Sequence, residues 1–394
     1  MPHNTLPADS SGPEATESGW RWPALREAER RILLDILLHG SRSRAEAGRR
    51  AALPRASLSR TIRELLTLGL LLEAPAETAG PGRPSGTLQV NPSGAAFLGV
   101  KLTGDALYAV LSDLQGQILH SDGEPLLTRE VPDVVEQITR TCRRLAARHP
   151  RTAAMGVCLA GGVRQDPERG AVVVDSAFLG WDEIPLQALL ERAVGLPVTV
   201  SNDVHALTVG NHWFGPGLGA DPVAVIALGV GMGLGITAGG QPMIGAHGRL
   251  GKISHLPVGR SSEHPTVRTC AAGHRDCISA YATVPSILRN ADRHSMAEVL
   301  RAAEEADPQA ADALHGAAEA LGAVVAAVTN LIDPELIVIT GESLEIVRSH
   351  REEVESAARV RLDPESALPQ ISMPPFAFTD YAWGAAVTSL HATV

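Results

Sequence analysis

The sequence predicts an N-terminal all-α winged helix-turn-helix domain followed by an α/β body. Three helical segments before Gly69 precede two short strand candidates, which is the element order of a winged helix. From Leu98 onwards, apolar strands alternate with helices, as is typical of α/β architecture. The segment Leu25–Val90 has eleven arginines against seven acidic residues, whereas the whole chain has a formal net charge of −10. A basic head on an acidic body is expected when only one domain meets nucleic-acid phosphates.

Length and composition exclude several classes of protein. The 394 residues, of which 44% are hydrophobic and 20% charged, indicate two or three globular domains. The richest apolar run, Val223–Ala238, contains four glycines, so we expect no membrane span. Residues 1–24 are expected to form a disordered tail without a secretion signal. Four cysteines are too few for a disulfide framework, which leaves reduced thiols or a metal site in a cytoplasmic protein.

The head is predicted to span residues 25–92. Apolar residues at helical spacing predict its helices, and Gly40 and Gly69 end the first and the third because glycine readily terminates a helix. The predicted elements are the helices Arg26–His39, Ser43–Ala51 and Ser57–Leu68 and the strands Leu70–Glu73 and Thr87–Val90. The short linker Gln89–Ala96 then leads into the body.

The third helix carries polar residues opposite its apolar face. Arginine suits base recognition because its planar fork bonds bidentately to guanine, and short hydroxyls donate to phosphate. Arg83, in a tip rich in glycine and proline between the two strands, is suited to enter a minor groove. The alternative is a solvated helix followed by an irregular loop. The predicted DNA-contacting residues are Arg44, Arg55, Ser57, Ser59, Arg60, Thr61, Arg63 and Arg83.

The body is predicted from strand and helix patterns in alternation. Its predicted strands are Leu98–Leu102, Leu107–Ser112, Gln117–His120, Ala154–Leu159, Val198–Val200, Val223–Leu228 and Leu336–Ile339. Its predicted helices include Val131–Arg148, Leu186–Val194 and Ala311–Ile332.

Several short motifs resemble those of the ROK family (repressor, open reading frame, kinase) over about Leu25 to the C-terminus. In the head these are Arg44-Ala45-Glu46, Leu58-Ser59-Arg60 and Gly82-Arg83-Pro84. In the body they are Gly180-Trp181, Val200-Ser201-Asn202-Asp203, the Gly229–Gly233 turn, and the segments from Ile244 to His255 and from Cys270 to Ala282. The resemblance implies an actin-like (sugar kinase-like) body of two lobes with a ligand cleft between them. The first lobe would comprise residues 97–201 plus 381–394, and the second residues 202–380.

The resemblance also implies that phosphoryl transfer has been lost. Kinases of the family hold the nucleotide phosphates with an acidic residue and a Gly-Gly-Thr turn, whereas here Lys101 stands where the acid belongs. Val230 replaces a hydroxyl residue, and Glu342 would repel a polyphosphate. Because phosphoryl transfer depends on positioning and charge neutralisation, we expect neither ATP as a cofactor nor enzyme activity. Asp203, at the position of the kinase base, would then be a strand-end cap or a sugar-hydroxyl acceptor.

The sugar site that the resemblance implies is altered. Its residues here are Asn202, Asp203, Lys252, His255 and Ser279. Lys252 and Ser279 replace two glutamates that accept sugar hydroxyls in the family, and His205 replaces a usual asparagine. Two explanations remain open: the cleft binds an acidic or phosphorylated sugar whose charge Lys252 pairs, or Lys252 neutralises Asp203 and the pocket no longer binds sugar.

The resemblance further implies a structural zinc site with an incomplete ligand set. His255, Cys270 and Cys277 match the family's ligands, but Ala272 stands where the middle thiolate would be. A structural zinc requires four ligands, and His274 or His264 are candidates for the fourth. The alternative is that the metal is lost and both cysteines are merely buried.

These features together predict a homo-oligomeric transcriptional regulator, expected to be a dimer or tetramer and a repressor, on a palindromic double-stranded operator. A sugar or sugar derivative would be its effector, acting through lobe motion transmitted by the linker. An active sugar kinase, or a constitutive DNA-binding or docking protein with a vestigial pocket, are the alternatives.

Overall fold

The structure, a computed structural model, describes residues 20–74, 86–259 and 267–394. Within these residues the head has three helices and a small antiparallel sheet with strand order β1-β3-β2. Its elements are α1 (Glu27–His39), β1 (Arg42–Ser43), α2 (Arg44–Arg50), α3 (Arg55–Thr67), β2 (Leu71–Ala74) and β3 (Thr87–Val90). The three predicted helices and both strands are present within a few residues of their expected bounds. The additional strand β1 was not predicted, because two residues are too few to show an alternation.

Residues at the helix ends of the head have the capping roles that their residue types favour. Gly40 adopts a φ of 81° and its N–H donates to the carbonyl of Ile36 at 3.0 Å, which closes α1. The Ser43 hydroxyl accepts from the N–H of Glu46 at 3.2 Å and caps α2. The wing tip that contains Arg83 lies outside the described residues.

The first part of the body is built on a mixed five-stranded sheet with order β11-β7-β4-β5-β6 and a second sheet with order β10-β9-β8. Strand β7 pairs parallel with β4 and β11 parallel with β7, whereas β5 pairs antiparallel with β4 and β6 antiparallel with β5. The elements are β4 (Ala96–Leu102), β5 (Ala106–Asp113), β6 (Ile118–Pro125), α4 (Val131–Ala146), β7 (Thr152–Leu159), β8 (Gly162–Asp166), β9 (Gly170–Ser176), β10 (Trp181–Ile184), α5 (Leu186–Val194) and β11 (Val198–Asn202).

The second part of the body contains another mixed five-stranded sheet, with order β14-β13-β12-β15-β16. Strand β15 runs parallel to both β12 and β16. The elements are α6 (Asp203–Phe214), β12 (Val223–Leu228), β13 (Met232–Ala238), β14 (Gln241–Pro242), α7 (Val284–Ala291), α8 (Met296–Glu304), α9 (Pro308–Ile332), β15 (Leu336–Gly341), α10 (Leu344–Ser349), α11 (Arg351–Arg359), β16 (Gln370–Ser372) and α12 (Thr379–Thr393). Two such sheets with helices packed against them form the two-lobed α/β body that the resemblance implies.

The C-terminal helix α12 packs back onto the first sheet and onto α6. Two glycines of that sheet allow its close approach. A Cβ on Gly99 would lie 1.9 Å from the carbonyl oxygen of Ala382, and one on Gly156 would lie 1.8 Å from that of Ala385. Only glycine permits backbone contact of this kind. The end of the chain therefore lies beside β4 and β7, although the residue bounds predicted for the lobes stay a prediction.

The head and the body share one continuous hydrophobic core. This joint core contains Ile32, Leu65 and Leu88 of the head with Phe97, Ala154 and Leu390 of the body. Trp22 extends it, with its ring centroid 6.0 Å from that of Phe97. The predicted linker is accordingly part of an ordered joint, since Val90, Ala95 and Ala96 are all buried.

Helix α9 is long and apolar enough to cross a membrane, by length and composition alone. Two thirds of its most apolar window, 67%, is buried inside the body. Its apolar character is thus explained by packing between α7, α8 and α11. The sequence analysis placed the richest apolar run at residues 223–238 instead, because the many alanines of α9 look less hydrophobic than a run of valine and isoleucine.

Candidate functional site

A cleft of about 990 Å³ lies between the two large sheets. Both lobes contribute to its walls, as the predicted two-lobed architecture requires. Its polar lining includes Lys101, Asn202, Asp203, His205, Lys252, His255 and Glu342. Of the residues predicted to bind a ligand, only Ser279 is not part of the wall. Its N–H donates to the carbonyl of Ser254 at 2.8 Å, and its own carbonyl accepts from the Ser286 hydroxyl. Ser279 therefore supports the segment behind the cleft, which corrects its predicted role.

Asn202 and Asp203 lie where β11 ends and α6 begins. The side-chain oxygen of Asn202 accepts from the N–H of Val204 at 2.9 Å, and its amide donates to the carbonyl of Gly161 at 2.9 Å. Asp203 accepts from the same N–H at 2.9 Å. Both side chains accept from this one N–H, and Asn202 is the residue that caps α6. The predicted role of Asp203 as a strand-end cap or a sugar-hydroxyl acceptor stays a prediction.

Asp203 forms a buried ion pair with Lys101 of β4. The two side chains are only 13% and 5% exposed. The Lys101 ammonium also lies 4.5 Å from the ring centroid of Tyr381, close enough for a cation–π contact. Asp203 is thus neutralised by Lys101 and not by Lys252, which corrects one of the two explanations for the altered pocket. The reason is topological: β4 and β11 flank β7 in the same sheet, so Lys101 reaches across the end of β7 to the end of β11.

The Glu342 carboxyl lies in the same half of the cleft as Lys101 and Asp203. Gly341 adopts a φ of 111°, and the chain turns so that the Glu342 carboxyl faces the Gly229–Gly233 turn. A Cβ on Gly229 would lie 3.1 Å from Glu342 Oε1. Loss of water around this carboxyl, together with the charge of Asp203, raises the pKa of Glu342 despite the opposing charge of Lys101. The place where the resemblance implies a bound phosphate therefore holds a carboxyl group of the protein.

The other half of the cleft presents polar groups without partners. Within the described residues, the exposed Lys252 ammonium has no carboxylate at ion-pair distance. The Nε2 atom of His205 is buried and has no hydrogen-bond partner in the same part of the chain. Burial lowers the pKa of His205, so its imidazole is neutral at pH 7. A cation and a buried ring nitrogen thus face the cleft with their hydrogen-bonding capacity unused.

At the mouth of the cleft, an ion pair connects the two lobes. Arg249 donates to Asp175 at 2.6 Å, and both side chains are 47% exposed. Asp175 belongs to β9 and Arg249 to the loop after β14. This pair was not predicted, because the two residues are far apart in the chain and no role was assigned to either side chain.

The predicted metal ligands meet beside the cleft. His255 Nδ1 lies 3.8 Å from Cys270 Sγ and 3.7 Å from Cys277 Sγ, and His274 Nδ1 lies 3.6 Å from Cys270 Sγ. Zinc bonds of about 2.3 Å to sulfur and 2.0–2.1 Å to nitrogen place tetrahedral ligands about 3.6 Å apart. The ligand atoms of His255, Cys270 and His274 all lie within 4.8 Å of one another, a group that could hold a metal ion. Cys277 lies outside this group and approaches it through His255. His264, the other candidate for the fourth ligand, lies outside the described residues.

Cys270 is prepared to act as a thiolate. Burial opposes its ionisation, but its contact with His274 and with backbone N–H groups lowers the pKa of the thiol to about 7. Burial raises the pKa of Cys277 instead. Two thiols with different tendencies to ionise, in contact with two imidazoles, form a donor set of the kind that zinc prefers.

In the head, helix α3 exposes one polar face. Arg55, Ser59, Arg60 and Arg63 are exposed and Ser57 is partly exposed. Thr61 is only 4% exposed and belongs to the buried side of the helix, so its predicted DNA contact is wrong. The reason is helical periodicity: Thr61 lies beside Ile62 and one turn before Leu65, and it falls on the same face as these two.

Arg44 is held within the head. Its guanidinium donates to both carboxylate oxygens of Glu73 on β2, at 2.8 Å each. This bidentate bond lowers the pKa of Glu73. A DNA contact by Arg44 therefore requires Glu73 to release it. This pairing was not predicted, because the two residues are 29 positions apart in the chain.

Known proteins resemble this chain both in sequence and in structure. The ROK family model matches residues 97–374. The chain is 26% identical over 326 residues to the DNA-binding transcriptional repressor Mlc of Escherichia coli, with 78% of each chain covered. It is 27% identical to a glucokinase of Halalkalibacterium halodurans over 275 residues, which cover 62% of this chain and 79% of the enzyme. A crystal structure described as a ROK family transcriptional regulator, homologous to Mlc, superposes with a TM-score of 0.77 at 24% identity and covers 93% of this chain and 95% of its own. That coverage extends over most of the head, so the fold of head and body together is shared.

Proposed function

Because this chain belongs to the ROK family, we propose that it is a DNA-binding transcriptional repressor whose cleft binds an effector and carries out no phosphoryl transfer. The observation that carries the proposal is the exposed face of α3. Arg55, Arg60 and Arg63 are free to reach a DNA groove there, while the opposite face of the helix belongs to the joint core. The head, with three helices and a small sheet, is a winged helix-turn-helix on this proposal. Its similarity in sequence to the repressor Mlc supports the same function.

The DNA-binding proposal is tested with a duplex that the wild-type protein selects from a random pool. We expect Arg60→Ala to weaken binding to that duplex by about 1–3 kcal/mol if Arg60 bonds a base edge. Arg140→Ala is the matched control, because Arg140 is exposed on α4 of the body and the charge change is the same. A gel-shift affinity of the Arg60 variant equal to that of the control would remove Arg60 from the recognition set.

The repressor is proposed to act in the cytoplasm as a homo-oligomer, a dimer or a tetramer. Two heads related by two-fold symmetry read two half-sites, so the selected duplex should be palindromic. Footprinting of the selected duplex should show two protected half-sites about one helical turn apart, or a multiple of it. Protection of a single half-site by a monomeric protein would contradict this arrangement.

The loss of kinase activity is proposed from the buried pair of Lys101 with Asp203 and from the position of Glu342. The buried ammonium of Lys101 occupies the Asp203 carboxylate, and Glu342 repels phosphate beside the glycine turn. A coupled assay with ATP and glucose tests this, with a ROK glucokinase as the positive control. Turnover above the rate without protein would overturn it.

The effector is proposed to be a sugar derivative that carries an acidic group. The unpartnered Lys252 supports this, because a carboxylate or phosphate would complete its charge, and the unused Nε2 of His205 would bond a hydroxyl. Calorimetric titration with glucose, glucose 6-phosphate and glucuronate distinguishes the classes. We expect an acidic compound to bind at least about tenfold more tightly than glucose. Tighter binding of unmodified glucose would contradict the proposal.

A structural zinc ion is proposed at His255, Cys270, His274 and Cys277. Bound there, zinc would tie the loop of His255 to the segment 270–277 and hold one wall of the cleft. Protein purified without chelator should contain about one equivalent of zinc, and less than about 0.2 equivalents would count against the site. We expect His274→Ala to lower the zinc content, whereas His294→Ala, an exposed histidine of the same lobe, should leave it unchanged.

A further inference from the structure

The side chain of Arg151, in the body, forms a hydrogen bond with the C-terminal end of helix α3. Arg151, the residue before β7, donates from Nη1 to the carbonyl of Leu68 at 3.1 Å. Leu68 is the C-terminal cap of α3. The same atom lies 3.5 Å from the carbonyl of Gly94, between the head and the body. A cation at a helix C-terminus satisfies a free carbonyl and interacts favourably with the helix dipole.

Several residues of the head and the linker pack closely around the Arg151 guanidinium. The next residue after the cap, Gly69, has a φ of 73°, and a Cβ there would lie 2.8 Å from Arg151 Nη1. The carbonyl of Gly69 accepts from the side-chain amide of Asn91 at 2.7 Å. The ring of Trp20 lies 5.7 Å from the guanidinium carbon. The turn that follows α3 is therefore in close contact with Arg151 and the linker.

Hydrogen bonds hold the backbone of Arg151 in place. Its carbonyl accepts from the N–H of Ala96 at 3.0 Å, and its N–H donates to His149 Nδ1 at 3.2 Å. Strand β7, which follows at once, is buried along its whole length between β4 and β11. At its far end, the chain continues into Ala160 and Gly161 of the cleft wall. Arg151 thus connects the strand that ends in the cleft to the helix that is proposed to read DNA.

We propose that Arg151 is a positioning residue for DNA recognition, which sets the orientation of α3 relative to the body. The joint core holds the head by apolar contacts, which have little directionality. The directional bond to Leu68 fixes the end of α3 and, through it, the orientation of Arg60 on the exposed face. This inference rests on the proposed role of α3 in DNA binding.

The first test is hydrogen exchange of the whole protein without DNA. The amides of Gly69 and Leu70 donate to the carbonyls of Leu66 and Leu65 and report on the end of α3. We expect Arg151→Met, which keeps much of the apolar stem, to accelerate their exchange by about tenfold, while β7 and α9 stay protected. Arg151→Lys should restore part of the protection, because it keeps the charge and loses the fork. Arg148→Met is the control, since Arg148 is exposed three residues earlier and has no side-chain partner among the described residues.

The second test is affinity for the duplex selected by the wild-type protein. Arg151→Met should bind it about tenfold more weakly, because a less ordered α3 must be fixed on binding. The dependence of affinity on salt should not change, whereas loss of a direct phosphate contact would reduce its slope by about one. A reduced slope would overturn the positioning role.

The two tests separate the possible failures. If the wild-type protein selects no duplex, the proposed function fails, and the exchange of Gly69 and Leu70 alone decides whether Arg151 holds α3. Unchanged exchange at these amides in Arg151→Met would overturn the inference. Faster exchange throughout β7 and α9 would also overturn it, because Arg151 would then be a residue of general stability.

Discussion

The two halves of the cleft differ in how their polar groups are satisfied. In one half, Lys101 pairs with Asp203, and Glu342 lies against the Gly229–Gly233 turn, so the charges of the protein meet one another. In the other half, within the described residues, the Lys252 ammonium has no carboxylate partner and the Nε2 atom of His205 has no hydrogen-bond partner. Buried polar groups are normally paired, so an unpaired set facing a cavity is where a ligand is expected.

On the proposed function, this difference explains how a kinase-like fold keeps a binding site and loses a reaction. Phosphoryl transfer needs an available base and a cradle for phosphate, and both are occupied here by side chains of the chain itself. Ligand recognition needs only the half that contains Lys252 and His205. We call this the open half, and the half that contains Lys101, Asp203 and Glu342 the closed half. Substitutions at Lys101, Lys252 and Glu342 test this difference between the two halves.

The largest effect is expected from Lys101→Met. This change leaves the Asp203 carboxylate buried without its partner, which should lower the free energy of unfolding by about 3–5 kcal/mol. Urea denaturation followed by circular dichroism measures the change. Arg144→Met is the control, because it breaks the exposed pair with Asp122 and should cost less than about 1 kcal/mol. Equal destabilisation by the two variants would show that the closed half of the cleft is not held by its ion pair.

An intermediate effect is expected from Lys252→Gln in the open half. Loss of a charged hydrogen bond should weaken the binding of glucose 6-phosphate by about 2 kcal/mol, close to thirtyfold, without changing the affinity for glucose. Titration calorimetry measures both affinities, and Arg140→Gln controls for net charge. If Lys252→Gln binds glucose 6-phosphate as tightly as the wild type does, the open half does not recognise an acidic group.

The smallest effect is expected from Glu342→Gln, through pH. The pKa of Glu342 is raised in the folded protein above its ordinary value of 4.5, so the folded state takes up a proton more readily than the unfolded chain. The wild type should therefore be slightly less stable than Glu342→Gln at neutral pH. This gap in stability between the two proteins should narrow as the pH falls through the folded-state pKa of Glu342 towards 4.5.

Thermal unfolding of both proteins across this pH range measures the gap. Glu136→Gln, an exposed carboxyl on α4 without a side-chain partner among the described residues, is the control. A gap that stays constant with pH would mean that the carboxyl near the Gly229–Gly233 turn is not disfavoured in the folded state.

Much of the fold could be predicted from local sequence patterns. Strand β12 and helix α5 have the predicted bounds, because a short continuous apolar run indicates a buried strand and a period of 3.6 residues indicates a helix. The sheet of β8, β9 and β10 was missed, since its short strands mix charged and apolar residues. The face of α3 was predicted except for Thr61, whose polar hydroxyl conceals its buried position.

The residues of the site were recognisable by type, but their partners were not. The sequence showed that Lys101 and Lys252 replace acidic residues, and that His255, Cys270 and Cys277 remain for a metal. Pairing depends on which strands lie side by side, and this placed Lys101, and not Lys252, next to Asp203. In the same way, only the fold brings His255 to Cys277 and Arg151 to the end of α3. The sequence by itself determined the elements and their chemical groups, because these depend on neighbours in the chain. The tertiary structure decided which groups are satisfied and which stay open, because these contacts join residues that are up to about a hundred positions apart.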